Sequence, residues 1–233
     1  MFNQPRILVC TNFSEYSDYA LKQAKALASK CRGELQILHV AEISFYLRWT
    51  PSENEKFSRL IYNDLMERMK TQLKRCNVEA SPVVTFESNA ATGISKYAQE
   101  KNIDLIVIGG TATRSTTPAF GSLARKVIAE VNCPVLVAKN DTEVVKICSL
   151  IGGNEELTPV INAGQELSYL YSAAHSTLTM WTLLPLGQRF PFNDFSPEFQ
   201  SAITEETQKN LNLFRTKIKD QLKDFRCHAL REN

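Results

Sequence analysis

The stretch DLIVIGGTATRSTTPAFGSLARKVIAEV, residues 104–131, sets small and hydroxyl-bearing residues between an apolar run and a helical pattern. That order suits anion binding. Gly109 has no Cβ to hold backbone N–H groups away from an anion. Gly121 and Ser122 open the helical segment, whose free amides and dipole favour negative charge, and the Ser122 hydroxyl adds a donor. Arg114 can clamp a phosphate through two parallel N–H bonds. The competing reading of residues 110–120 is a solvated connector of Ser, Thr and Ala, with Arg114 as a surface charge.

Other reactive side chains form no constellation. The six cysteines, Cys10, Cys31, Cys76, Cys133, Cys148 and Cys227, contain no CxxC pair and no Cys/His zinc spacing. Scattered thiols of this kind suit a reducing cytoplasm. Cys10 reads as core rather than nucleophile, His39 as a structural histidine and His175 as a surface one. A G-x-G-x-x-G motif, a P-loop and paired catalytic carboxylates are all missing from the sequence, so binding is expected rather than catalysis.

The formal charge of +2 gives no electrostatic reason to expect nucleic acid or an anionic membrane as partner. No apolar run approaches the roughly 20 residues that span a bilayer. The first residues, MFNQPRILVC, carry too short an apolar stretch for a signal peptide. A cytoplasmic protein without membrane association is the expectation.

These candidate residues need a frame. RILVCTN, ELQILHVAEI, SPVVTFES, DLIVIGG and CPVLVAK read as five short strands, near-continuous in Val, Ile and Leu. Between them lie helical patterns. Ser14 is placed to cap the first, and Phe57, Leu60, Ile61, Leu65, Met69 and Leu73 give a long amphipathic helix over 53–75. Strands alternating with helices predict an α/β fold, a parallel sheet covered on both faces.

Residues 141–233 read as an incomplete second copy of residues 1–140. KICSLIGGNEELTPVINAGQELS lies on ILVCTNFSEYSDYALKQAKALA at an offset of 140, so that Leu27 meets Leu167. The second copy holds two strands and two helices, and the sequence ends at Asn233, where a third strand would begin. EETQKNLNLFRTKIKDQLKDF carries a core or partner-facing apolar stripe.

At this point the chain resembles the universal stress proteins. The resemblance rests on CTNFSE closing the first strand, on the glycine loop after DLIVIGG, and on CPVLVAK as the last strand, three motifs in order across residues 5–139. It implies a five-stranded parallel α/β sandwich, often in tandem. It also implies binding of ATP or AMP in several members, and a homodimer or protein partner. Carried over by position, it assigns Asn12 to the nucleoside, the backbone of Val40 to the base, and Gly109, Ala112, Gly121 and Ser122 to the phosphate loop. Here the loop reads G-x2-A-x8-G-S in place of G-x2-G-x9-G-S, and Asn12 stands where the family has aspartate. Those changes weigh toward a nucleotide-independent dimerisation or partner-docking module. In the second copy the aspartate position falls on Gly152 and the glycine loop is missing, so no site of this type is expected there.

Overall fold

The computed structural model describes residues 4–42, 51–110, 121–152, 157–180 and 196–218. They divide into two compact units. One comprises residues 1–145 with 166–173, the other 146–165 with 174–233.

The first unit holds five parallel strands: β1 (Arg6–Cys10), β2 (Glu34–Glu42), β3 (Ser81–Glu87), β4 (Leu105–Gly109) and β5 (Val135–Ala138), in the order β3-β2-β1-β4-β5. Four helices join them: α1 (Glu15–Cys31), α2 (Pro51–Cys76), α3 (Ala90–Glu100) and α4 (Ser122–Glu130). β1 is central, with Ile7 level with Leu35 on one side and Leu105 on the other.

Strand alternation divides the core in two. Ile7, Val9, Ile37 and Val107 face α1 and α2, against Leu21, Ala24, Leu27, Leu65 and Met69. Leu8, Cys10, Leu38, Ile106 and Ile108 face α3 and α4, against Ala91, Ile94, Tyr97 and Val127. Both faces are dry, which explains why the strands read as unbroken apolar runs; each such side chain contributes about 1.5–3 kcal/mol by burial. Gly93 sits inside α3 because a Cβ there would lie 2.7 Å from Val40 Cγ1.

Two local expectations need correction. β1 ends at Cys10 rather than running to Asn12, because the chain turns sharply at Phe13, whose φ is +65°. Ser14 stands at the N-cap of α1 but makes no side-chain capping bond. Its hydroxyl donates backward instead, to Asn12.

The second unit holds a further two-stranded parallel sheet, β6 (Lys146–Gly152) and β7 (Ala174–Met180), with Leu150 level with Leu178. The connecting helix is α5 (Leu157–Tyr171), and α6 (Pro197–Ile218) follows. Ser149 and Ile151 are buried, as is Ile161 on α5, whereas Leu150 is 63% and Leu178 47% exposed on the opposite face of the sheet. His175 is not a surface residue. It lies on β7, half-buried, with Nε2 2.9 Å from Ser149 Oγ.

Candidate functional site

The β1–α1–β2 connection leads to one side of β1, and the β3–α3–β4 connection crosses to the other. The helices that follow β1 and β4 therefore lie on opposite faces of the sheet, and a crevice opens beyond the carboxyl ends of the strands. It has a volume of about 800 Å³, and Asn12, His39, Val40, Gly109, Gly121 and Ser122 are among the residues lining it. Five of the seven residues singled out from the sequence thus share one cavity. The other two, Ala112 and Arg114, lie outside the described residues.

The β1–α1 turn is held from beneath by a buried polar network. Thr11 Oγ1 donates to Gln72 Oε1 at 2.8 Å and accepts from Phe13 N at 3.0 Å. Gln72, on α2, donates through Nε2 to Asp18 Oδ1 at 2.7 Å and to Ser17 Oγ at 3.1 Å. Ser17 Oγ donates to the Ser14 carbonyl at 2.6 Å, and Arg75 Nη2 reaches both Asp18 oxygens at 2.8 and 2.6 Å. The surroundings thereby fix Phe13 in a left-handed conformation that a bulky residue seldom adopts. Its ring packs against His39, with centroids 4.7 Å apart, and against the Arg68 guanidinium at 4.3 Å.

Asn12 rides on this turn, exposed to the crevice. Its Oδ1 accepts from Ser14 Oγ at 2.6 Å and from Ser14 N at 3.2 Å.

The end of β2 supplies backbone groups. Thr11 N donates to the Leu38 carbonyl at 2.9 Å, which closes the β1–β2 ladder. Backbone groups alternate in direction along a strand. Val40, two residues on, therefore turns its N–H and C=O to the same side, where β1 has already ended. That is a donor–acceptor pair at the crevice floor. His39 Nδ1 lies 2.8 Å from the Thr11 carbonyl, which only accepts, so Nδ1 carries the proton. Burial pushes the His39 pKa below its ordinary 6.5, opposed by the Thr11 bond and aided by Arg68. Glu42, also on the crevice wall, accepts from Ala90 N at 2.7 Å and so covers the start of α3.

The third wall is β4 and α4. A Cβ at Gly109 would lie 2.5 Å from the backbone C and O of Tyr16, so the glycine is required by the close approach of α1. Gly121 has φ +77°, which favours glycine, and it caps α4 without a side-chain bond. The first amides of α4 and the Ser122 hydroxyl thus border the crevice, with no cap from Gly121, which has no side chain.

Two reactive-looking groups are accounted for structurally. Burial raises the Cys10 thiol pKa far above the ordinary range, so the group stays protonated in the core. Ser149 Oγ lies 3.3 Å from the Val160 carbonyl and 2.9 Å from His175 Nε2. A Cβ at Gly164 would lie 2.2 Å from that oxygen. The pair is a packing contact between α5 and its sheet. Among the described residues no cluster of His, Cys, Asp or Glu could hold a metal ion, and no helix is long and apolar enough to cross a membrane.

Sequence reasoning missed Thr11, Ser17 and Gln72, which hold the turn without touching chemistry. Gln72 had a signal: it follows Met69 by three residues on the buried stripe of α2, a polar side chain where an apolar one would pack.

A doubly wound sheet of five parallel strands, with its cavity at the strand-order switch, defines the class. Residues 4–139 match the universal stress protein family, and the chain belongs to it. Universal stress protein MJ0531 of Methanocaldococcus jannaschii is 31% identical over 139 residues, covering 58% of this chain and 81% of that protein. Universal stress protein G of Escherichia coli O157:H7 is 29% identical over 130 residues, covering 54% and 90%. The Na(+)/H(+) antiporter NhaS5 of Synechocystis is 26% identical over 225 residues; the alignment takes in 95% of this chain but 31% of the antiporter. Among solved structures, universal stress protein UspA of Lactobacillus plantarum shares 25% identity at a TM-score of 0.47, covering 59% of this chain and 99% of its own.

Proposed function

We propose that the first unit binds an adenine nucleotide, ATP or AMP, in the crevice between β1 and β4, and that the protein acts as a cytoplasmic regulator of the universal stress type rather than as an enzyme. The observation that carries this reading is the convergence of Asn12, the Val40 backbone pair, Gly109 and the Gly121–Ser122 helix start around one cavity. A backbone N–H beside a C=O complements the acceptor and amino donor on the edge of adenine. The start of α4 supports an anion. No described side chain is placed to activate a nucleophile, which favours binding without turnover. Calorimetric titration with ATP, ADP and AMP tests the reading: one site per chain is expected, and the absence of heat at millimolar nucleotide refutes it.

A second reading is favoured by a separate observation. The alignment with NhaS5 runs through 95% of this chain and so through both units. We propose that residues 141–233 are a shortened copy of the first unit that docks a protein partner or a second copy of the chain through its open sheet face, at Leu150 and Leu178. Light scattering across a concentration series tests self-association. A strictly monomeric chain removes the dimer and leaves only a different protein as partner.

A further inference from the structure

We propose that Gln72 on α2 is a positioning residue for the crevice: through Thr11 it holds the β1–α1 turn in the conformation that binds, without lining the cavity itself. This rests on the reading of the crevice as a nucleotide site and adds a residue that does not touch the ligand. The cavity wall at the end of β1 is made by Thr11, Asn12, Ser14 and Ser17, all on or beside that turn. Within it Phe13 holds a φ of +65°. A bulky residue stays in that conformation only where its surroundings over-determine it. Gln72 is where those surroundings converge. It is 2% exposed, and both ends of its amide are bonded. Oε1 accepts the Thr11 hydroxyl at 2.8 Å, and Nε2 donates to Ser17 Oγ at 3.1 Å and Asp18 Oδ1 at 2.7 Å. Thr11 Oγ1 in turn accepts from Phe13 N at 3.0 Å. Two hydrogen bonds therefore lead from the buried helix to the amide of the strained residue.

The rest of α2 repeats the same grip. Arg68, Gln72 and Arg75 stand at i, i+4 and i+7 and so share one helical face. Arg68 lies over the Phe13 ring at 4.3 Å, and Arg75 reaches both Asp18 oxygens at 2.8 and 2.6 Å. Stability alone does not account for an amide at position 72. Leu65, Met69 and Leu73 are buried around it on α2, where an apolar side chain packs with no partners to find. A buried amide must have its bonds made merely to offset its desolvation. What a fully bonded buried network adds is a single fixed geometry. Here that geometry belongs to the turn lining the crevice. A wall held in its binding shape beforehand spares the ligand the cost of ordering it.

The test is calorimetric titration of AMP into the full chain and its variants, each at a temperature where it is fully folded. Gln72→Met keeps the length of the side chain and removes its bonds; AMP is expected to bind at least about tenfold more weakly. Met69→Ala damages the same core at a fully buried position of α2 and is expected to leave AMP within about twofold. Thr11→Val is expected to weaken AMP at least as much as Gln72→Met. The double variant is then expected to match Thr11→Val within about threefold, because Gln72 has lost the group it acts through. Unchanged AMP affinity in Gln72→Met overturns the proposal while leaving the nucleotide site intact. So does equal weakening by Met69→Ala, since affinity then follows general stability, and so do additive losses in the double variant. If Gln72→Met does not fold, wild type carries the test by resonance. Saturating AMP is expected to shift the Gln72 side-chain amide and not the Met69 methyl, and an unmoved Gln72 overturns the proposal. A wild-type chain that does not bind AMP overturns both the proposal and the reading beneath it.

Discussion

The two sheets of this protein begin alike and end differently. β1 and β6 are each followed by a helix that packs on one face and by a parallel neighbour, β2 or β7. At the offset of 140, Leu21 and Ile161 occupy matching positions and both are fully buried. The difference lies on the far face. Cys10 is 7% exposed under α3 and α4, and its counterpart Leu150 is 63% exposed. A crevice of the kind described here needs strands added on both sides of the first, so that two connections part at the switch point. Two strands give one connection and no parting, whatever residues they carry. The two described strands of the second unit do not by themselves make a site of this type.

That contrast can be broken most forcefully in the cores. Leu8→Ala on β1 is expected to cost about 2–5 kcal/mol, because the side chain is wholly enclosed between β1 and α3. Leu150→Ala is expected to change stability by no more than about 0.5 kcal/mol. Native-state hydrogen exchange in each unit's strands measures both. A large loss from Leu150→Ala would mean that this face is already covered.

Next come two glycines that serve close packing. Gly109→Ala sets a Cβ against the Tyr16 backbone, which cannot swing aside, and is expected to cost about 3 kcal/mol. Gly164→Ala meets the Ser149 hydroxyl and the His175 ring, which can move, and is expected to cost about 1–2 kcal/mol. Urea denaturation of the two variants sharpens the comparison if the order holds and breaks it if Gly164 proves the costlier site.

The smallest expected effect is in pH. Burial lowers the pKa of both His39 and His175 below 6.5. The folded state then binds fewer protons than the unfolded one between the folded pKa and 6.5. The stability that the neutral rings provide is full above pH 6.5 and is lost as pH falls below it. His39→Gln is expected to flatten that decline in the first unit and His175→Gln in the second, as read by thermal unfolding between pH 7 and 5. A decline unaffected by either change contradicts the assignment.

The fold was legible because both faces of the first sheet are buried: a strand with no wet side reads as an unbroken apolar run, and Ile7, Leu8 and Val9 say so directly. Candidate residues at strand ends followed from the topology. What stayed hidden were interactions between distant segments. Nothing near Thr11 announces Gln72, 61 positions away. The burial of His175 depends on a glycine in the preceding helix. The turn of the Asn12 amide depends on a serine two residues on, whose sequence signature, an N-cap, pointed to a different bond.

The most direct test of the central claim is an AMP titration followed by amide resonances of the whole chain. The account predicts shifts at Asn12, Val40, Gly109, Gly121 and Ser122, with the strands 146–152 and 174–180 unmoved. Shifts confined to the second unit, or none at saturating AMP, would contradict it.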